Sequence, residues 1–237
     1  MPDSPLETLF ADSRNYLEYQ AEVYGPDLMM ESERGVPGVR PATKSSLDGL
    51  LQSIQDCDRC GLAKTRTHFV FGVGNPSARL MLIGEAPGEE EDRRGEPFVG
   101  AAGQLLDKIL SAIGFDRSEV YIGNILKCRP PGNRDPLPEE VESCMPHLKR
   151  QIELIGPKLI LGLGRVAAQN LLGKQAPLSR LRGELHSFNG VPMMVTFHPA
   201  ALLRNPDWKR PVWEDVQRLR KLYDQRVGDK PGWNPPK

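Results

Sequence analysis

The amino-acid sequence predicts an α/β fold, a three-layer sandwich in which a central, mostly parallel four-stranded sheet is flanked by helices. Two observations lead to this prediction. Short apolar runs recur along the body of the chain, and segments with the apolar spacing of amphipathic helices separate them. The runs are apolar on both faces, which is typical of parallel strands because helices cover both sides of a parallel sheet.

The predicted elements follow one another in a βαβα order. The strands are expected at residues 79–84, 120–124, 158–164 and 192–198. The helices with the clearest spacing are expected at residues 101–113, 138–155 and 211–223. Pro146 lies inside the second of these helices. Because a proline there removes a backbone hydrogen bond, we expect it to kink or interrupt the helix.

Composition divides the chain of 237 residues into three parts. Residues 1–46 are expected to form an acidic N-terminal arm and linker, partly flexible, and residues 227–237 a flexible tail. The alternating pattern lies between them, in residues 47–226, which we expect to be the folded domain.

The formal net charge of zero conceals two oppositely charged parts. Residues 1–35 hold eight acidic and two basic side chains, so the rest of the chain holds 23 acidic and 29 basic ones. A basic body suits a nucleic-acid partner, whereas the acidic arm is a candidate site for a protein partner.

Other classes of protein are excluded. The sequence has no run of 18 apolar residues, so we expect no membrane span. The N-terminus, MPDSPLETLF, lacks the basic and apolar regions of a secretory signal. We therefore expect a cytoplasmic protein, and we expect it to be a monomer.

Polar side chains follow three of the predicted strands at their carboxyl ends. Glu85 follows the first strand, Asn124 ends the second, and His198 ends the fourth. Ligands of open α/β sheets bind at this edge, so a carboxylate, an amide and an imidazole are expected on one rim. Taken singly, each of them could equally be a loop charge, a turn cap or an ordinary strand end.

The four cysteines suit a metal site. Cys57 and Cys60 form a C-x2-C pair, and fifteen residues separate Cys128 from Cys144. Disulfides are disfavoured without a secretory signal, and a redox C-x2-C should follow a strand, whereas this pair follows the helical pattern LDGLLQSIQD. Four thiolates can bind zinc or a [4Fe–4S] cluster, and spacing alone does not choose between them or exclude four unrelated thiols.

Several motifs together resemble the family-4 uracil-DNA glycosylases, the iron–sulfur branch of that superfamily. They are GEAPGEEED (84–92), GEPFVGAAGQLLD (95–107), the C-x2-C pair and HPAALLRNP (198–206), and the resemblance extends from about residue 47 to 224. It implies that residues 47–226 are a catalytic domain that flips uracil out of single- or double-stranded DNA, hydrolyses its N-glycosidic bond and leaves an abasic site. It also implies a [4Fe–4S] cluster on the four cysteines, with zinc the less favoured alternative.

The resemblance assigns roles in base recognition. Phe98 would stack on the flipped base, and the Asn124 amide would pair with uracil N3–H and O4 while rejecting cytosine. His198 would donate a hydrogen bond to uracil O2 as negative charge develops there. Gly84 would let backbone N–H groups approach the base, and Asn133 matches a family position near the active site.

Water activation is assigned to carboxylates. The best-known branch of the superfamily carries an Asp two residues after the first Gly of this motif, where this chain has Ala86. A general base at that place is therefore absent. We expect Glu85 to order the water or the loop, and Glu91 to be a second carboxylate of the site.

Two loops are expected to contact DNA. In the first, Leu203 or Arg204 would fill the hole left by the flipped base, and Lys209 would lie near phosphates. In the second, Arg129 and Arg134 could reach the DNA backbone, and attachment to the cysteine site would order that loop.

The sequence leaves other classes open. One is a non-catalytic iron–sulfur protein that binds DNA or transfers electrons. Another is a related glycosylase that prefers hypoxanthine, xanthine or mismatched thymine. A related branch that traps the base covalently carries a His-containing loop near the second cysteine pair, but residues 129–138 contain no His.

Overall fold

One mixed sheet lies at the centre of the computed structural model, which describes residues 46–228 together with Lys230 and Trp233. Its six strands are β1 (Val73–Gly74), β2 (Leu80–Gly84), β3 (Tyr121–Asn124), β4 (Leu159–Leu163), β5 (His186–Phe188) and β6 (Val191–Thr196). They are arranged in the order β1-β3-β2-β4-β6-β5. The acidic arm expected at residues 1–46 lies outside the described residues except for Ser46, as does most of the expected tail.

The four predicted strands form the parallel centre of this sheet. Strands β3, β2, β4 and β6 pair in parallel, while β1 and β5 add short antiparallel edges. The sequence analysis did not identify these edge strands, because a run of two or three partly exposed residues carries no readable period. Within the sheet, Gly84 lies opposite Asn124 and Leu163 opposite Thr196.

Helices cover both faces of the sheet. They are α1 (Leu47–Ile54), α2 (Glu89–Arg94), α3 (Ala101–Ala112), α4 (Pro138–Ile155), α5 (Arg165–Leu172), α6 (Leu178–Leu181), α7 (Pro199–Arg204) and α8 (Lys209–Val227). On one face, Met81 and Ile160 of the sheet share a buried apolar cluster with Leu148 of α4. On the other, Leu82 of β2 shares one with Val216 of α8. These two cores confirm the expected three layers.

Helix α4 runs without interruption from Pro138 to Ile155, so of the two expected effects of Pro146, a kink or an interruption, the interruption does not occur. Pro146 is exposed, as is Glu142, whose carbonyl loses its helical hydrogen-bond donor. Water can satisfy that carbonyl, and Val141 and Leu148 on the opposite face stay buried in one core.

Candidate active site

The carboxyl ends of the parallel strands surround a cleft of about 780 Å³. Of the residues predicted to bind or react with a base, the cleft is lined by Glu85, Glu91, Phe98, Asn124, Asn133 and His198. The structure therefore brings the carboxylate, the amide and the imidazole to one rim, as the positions of strand ends in the sequence predicted.

Asn124 presents an unpaired acceptor to this cleft. The residue is 2 % exposed, and within the described part of the chain its Oδ1 is the one buried side-chain nitrogen or oxygen without a hydrogen-bond partner. A buried polar atom without a partner costs free energy, so such an atom is expected where a ligand completes it. Asn124 is thus prepared to accept a hydrogen bond from a bound molecule.

Gly84 makes room for this arrangement. A Cβ atom at Gly84 would lie 2.4 Å from Asn124 Oδ1 and 2.8 Å from Phe98 Cζ, both closer than real Cβ atoms approach. The role of Gly84 is therefore steric: it allows the amide and the aromatic ring to come together at the end of β2.

Phe98 is fixed in an unusual backbone conformation. Its φ angle is 54°, in the left-handed region, and its ring stacks on the His198 ring with 5.4 Å between centroids. Gly103 permits this turn, since a Cβ there would lie 1.8 Å from the Phe98 carbonyl oxygen. A non-glycine residue held at positive φ is typical of functional sites, where the surrounding structure compensates for the strain.

His198 is a neutral hydrogen-bond donor in this setting. Its pKa is lowered to about 4, mainly by burial and also by the charge on Arg204, while Glu91 opposes the shift. Its Nδ1 accepts a hydrogen bond from the Ala200 N–H at the start of α7, at 3.2 Å. The proton of the neutral ring is therefore on Nε2, which can donate to a ligand.

Glu85 has the pKa of a group that can exchange protons near neutral pH. Its pKa is raised to about 7, mainly by burial and also by the nearby Asp135 carboxylate, while Arg165 opposes the shift. Asp135 and Arg165 form an ion pair at 2.7 Å between Oδ2 and Nη2, and both line the cleft. The sequence analysis assigned no role to either, although Arg165 follows the end of β4 just as Glu85 follows β2.

Glu91 is bound to the backbone. Its Oε1 accepts hydrogen bonds from the N–H groups of Val99 and Gly100, both at 2.9 Å, directly after Phe98. A Cβ at Gly88 would lie 2.7 Å from Glu91 Oε2, so the second oxygen is packed against the β2–α2 turn. Glu91 thus ties the segment that follows Phe98 to α2.

The loop between β3 and α4 is braced by its own arginines. Arg129 Nε donates to Asn133 Oδ1 at 2.8 Å, and Arg129 also pairs with Glu89 at 3.3 Å. Arg134 forms two hydrogen bonds to the buried Glu140 carboxylate, at 2.6 and 2.9 Å. The guanidinium groups of both arginines, predicted to contact DNA, thus make intramolecular contacts.

The segment after His198 is a short helix rather than the loop that the sequence suggested. Leu203, on the last turn of α7, is 52 % exposed, and Arg204 lines the cleft. Lys209 is exposed at the start of α8. Trp208 is also partly exposed and stacks on Phe197 with 4.7 Å between ring centroids, an aromatic surface that the sequence analysis did not identify.

The cysteines come from three segments of the chain. Cys57 and Cys60 follow α1, Cys128 follows β3, and Cys144 lies in α4. Burial raises the pKa of Cys128, and the nearby Cys60 and Cys57 raise it further. The pKa of Cys144 is raised to about 11, mainly by burial; Lys127 opposes the shift, and Cys128 and Cys60 add to it. All four thiols are therefore close enough to interact electrostatically, and none forms a disulfide.

Nitrogen atoms lie against three of these sulfurs. Such neighbours suit thiolate ligands, because N–H···S hydrogen bonds stabilise negative charge on sulfur. The contacts are Arg66 Nη1 to Cys128 Sγ at 3.4 Å, Lys127 N to Cys144 Sγ at 3.3 Å and His147 Nε2 to Cys57 Sγ at 3.4 Å. The donor set thus fits a metal centre bound by four thiolates.

Comparison with known proteins decides the family. Residues 71–217, more than half of the chain, match the family model "Uracil DNA glycosylase superfamily". The chain is 46 % identical over 189 residues to the type-4 uracil-DNA glycosylase of Archaeoglobus fulgidus, which covers 76 % of this chain and 95 % of the relative. The chain belongs to the family-4 uracil-DNA glycosylases. The resemblance predicted from the motifs is thereby confirmed.

A second type-4 relative agrees with membership of family 4, and a type-5 relative is less similar. The type-4 uracil-DNA glycosylase of Thermotoga maritima is 42 % identical over 175 residues, with 72 % of this chain and 91 % of the relative covered. The type-5 uracil-DNA glycosylase of Pyrobaculum aerophilum is 31 % identical over 147 residues, covering 54 % of this chain and 64 % of the relative. Within this family-4 enzyme, the described residues include no helix long and apolar enough to cross a membrane.

Proposed function

We propose that the protein removes uracil from DNA by hydrolysing its N-glycosidic bond, and that the Asn124 amide selects the base. The observation that carries this assignment is the unpaired, buried Oδ1 of Asn124. Uracil presents an N3–H donor beside the O4 acceptor, which complements an amide oxygen and an amide N–H. Cytosine presents the reverse pattern, so its binding would leave the buried groups unpaired.

The other walls of the cleft suit the remainder of the base. Phe98 offers a ring face on which the flipped uracil can stack. The His198 Nε2–H can donate to uracil O2, where negative charge grows as the glycosidic bond breaks. Because the pKa of His198 is about 4, the ring stays neutral throughout the physiological range. The geometry thus supports stabilisation of the leaving base as an anion by a neutral donor.

Glu85 is the group that we assign to the water. As a carboxylate, it can orient a water molecule toward the sugar carbon and stabilise the positive charge that develops on the sugar. Water then supplies hydroxide to the sugar and a proton to the uracil anion, which gives free uracil and an abasic site. For Glu91, the hydrogen bonds to Val99 and Gly100 support a role in positioning Phe98.

We assign a [4Fe–4S] cluster to Cys57, Cys60, Cys128 and Cys144, with zinc as the alternative. In a tetrahedral zinc site with Zn–S bonds of about 2.3 Å, the sulfurs lie about 3.8 Å apart. The described residues include no group of three or more His, Cys, Asp or Glu side chains arranged to hold one ion, so the choice of the iron–sulfur cluster is based on the likeness to family 4. The cluster would cross-link α1, the β3–α4 loop and α4, and its chemistry here would be structural.

DNA contact is assigned to the surface around α7. The exposed Leu203 suits insertion into the base stack, with Arg204 beside it and Lys209 near phosphates. The β3–α4 loop would contact the DNA, and its conformation would be held by Arg129, Arg134 and Asn133. The substrate would be double- or single-stranded.

We also assign a cellular location, an oligomeric state and a site for a protein partner. None of the chain's four cysteines forms a disulfide, which supports a reducing, cytoplasmic location. We infer a monomer on DNA, and we keep the acidic arm as the site for a protein partner.

Excision assays on matched oligonucleotides test this function. The full chain is incubated with strands that carry uracil opposite guanine, uracil opposite adenine or unpaired uracil, and with strands carrying cytosine, thymine or hypoxanthine at the same position. Abasic sites are expected with the uracil substrates alone. Hypoxanthine release would indicate a shifted base preference, and the absence of abasic sites from every strand would indicate a non-catalytic DNA-binding protein.

A further inference from the structure

A lysine is completely buried behind the base-binding cleft. The exposed fraction of Lys127 is 0 %. Lys127 follows Asn124 by three residues in the sequence. Lysine is almost never fully buried without compensation, because its ammonium group loses its hydration. The position of Lys127 therefore requires an explanation in terms of what its ammonium group contacts.

The Lys127 ammonium group contacts the end of strand β3. Its Nζ donates to the Asn124 carbonyl oxygen at 2.8 Å and to Gln151 Oε1 at 2.6 Å. Gln151, in α4, is also fully buried and donates through Nε2 to the Tyr121 hydroxyl at 3.1 Å and to the Phe71 carbonyl at 2.9 Å. The lysine is thus held in a fixed network that spans from α4 to the start of β3.

This network acts on the residue at which the strand ends. Beyond Asn124 the chain leaves the regular ladder, and the N–H groups of Ile125 and Leu126 donate to the carbonyls of Gly84 and Glu85, both at 3.0 Å. The Asn124 carbonyl receives its donor from Lys127 instead. The same ammonium group therefore determines the orientation of the peptide that carries the Asn124 side chain.

Lys127 also touches the cysteine site through its backbone. Its N–H donates to Cys144 Sγ at 3.3 Å, and its carbonyl accepts from the Val70 N–H at 2.8 Å. One residue thus connects the cysteine site to the strand end that contacts the base.

We propose that Lys127 is a positioning residue for uracil recognition: its buried ammonium group holds the Asn124 backbone so that the side-chain amide faces the base. This inference rests on the proposed role of Asn124. It predicts that loss of the ammonium group lowers the rate of excision through Asn124, while the fold, the cysteine site and the DNA-binding surface stay intact.

The test uses Lys127→Met, which keeps the length of the side chain and removes its charge and its donors. Single-turnover excision of uracil opposite guanine is expected to slow roughly tenfold to a hundredfold, since misplacement by about 1 Å can cost that much. Affinity for DNA that contains an abasic site, where no base is read, is expected to stay within about twofold. Visible absorbance and the thermal midpoint report on the cysteine site and the fold.

A double-mutant cycle separates positioning from a general effect. In an Asn124→Leu background, Lys127→Met is expected to cause no further loss of rate, because the group that it positions is already absent. Lys127→Gln, which keeps an N–H donor, is expected to restore part of the rate. Tyr121→Phe is the matched control: it removes a hydroxyl from the same network but leaves both Lys127 Nζ hydrogen bonds in place, so its rate should match the unmodified chain.

The outcomes are distinct. Equal loss of rate from Lys127→Met in both backgrounds would overturn the proposal, as would an unchanged rate in the single variant. Failure of both Lys127 variants to fold would also overturn it, because the lysine would then serve the fold as a whole. If Asn124→Leu itself left excision unchanged, the role of Asn124 would fail instead.

Discussion

At the scale of single residues, the base site depends on close approach. Asn124 and Phe98 can meet at the end of β2 because residue 84 has no side chain. The motif around Gly84 suggested that a glycine is needed for backbone contact with the base. The structure adds a steric reason for a glycine at this position. That reason leads to a direct prediction at this position.

Gly84→Ala is expected to abolish most of the excision activity. The new methyl group would lie 2.4 Å from Asn124 Oδ1 and 2.8 Å from Phe98 Cζ, so both side chains must move. We expect the single-turnover rate to fall on the order of a hundredfold. Gly61→Ala, where a Cβ meets nothing within 4 Å, is the matched control, and equal rates for the two variants would contradict the steric account.

Glu85 predicts a pH dependence. Its pKa is about 7, and its carboxylate is the active form, so the fraction able to act rises with pH. Between pH 6 and 8, kcat/KM is expected to rise roughly tenfold and then level off. His198, with a pKa of about 4, does not titrate in this range. The Glu85→Gln variant should have a lower kcat/KM that does not change with pH. A pH profile identical to that of the unmodified chain would exclude Glu85 as the titrating group.

The sequence predicted which residues reach the site better than it predicted how they act. Glu85, Asn124 and His198 could be identified because strand ends lie on one edge of a parallel sheet. Asp135 and Arg165 could not be assigned, because their contact joins a loop to the start of α5 across 30 residues. Lys127 carries no sequence signal, since a lysine beside a cysteine is ordinarily exposed.

At the scale of elements, the short helix α2 holds the stacking segment. From sequence, its run of acidic residues could equally be a set of solvated charges, but two of them accept hydrogen bonds from backbone N–H groups outside the helix. Glu91 accepts from Val99 and Gly100, and Asp92 is 4 % exposed and accepts from the Thr67 N–H at 2.9 Å. Long-range contacts of this kind have no periodic pattern, so sequence reasoning could not find them.

Variants of Glu91 separate anchoring from catalysis. Glu91→Gln keeps a carbonyl oxygen that can accept from the same backbone groups, so most of the excision activity should remain. Glu91→Ala leaves those N–H groups without their acceptor and should lower the free energy of unfolding by about 1 kcal/mol, with reduced excision. Denaturant unfolding and single-turnover rates provide the measurements. If Gln were as damaging to the rate as Ala while stability was kept, Glu91 would be a catalytic carboxylate.

At the scale of the whole molecule, charge is divided along the chain. The residues after 35 carry 29 Lys and Arg against 23 Asp and Glu, although the formal total is zero. Binding to a phosphate backbone releases counterions, so affinity for DNA should fall steeply as salt rises. This behaviour concerns DNA in general rather than uracil, and it can be measured on strands without uracil.

Lys209→Ala tests the assigned DNA surface. If Lys209 contacts one phosphate, its loss should reduce the slope of log affinity against log salt by about 1 and weaken binding to all sequences alike. Lys174→Ala is the control, because Lys174 is also exposed but lies beside Leu185 and His186 rather than at the start of α8. Equal slopes for the Lys209 variant and the unmodified chain would place the DNA elsewhere.

The central claim is that the unpaired oxygen of Asn124 is kept for uracil. Asn124→Leu keeps the branching of the side chain at Cγ and removes a buried polar atom that has no partner in the described structure. The decisive measurement is the single-turnover rate of uracil excision for this variant, taken together with its thermal midpoint. The account predicts an excision rate about a hundredfold lower than that of the unmodified chain, with a thermal midpoint equal to or above that of the unmodified chain. An undiminished rate, or a rate that falls only because the protein unfolds, would contradict it.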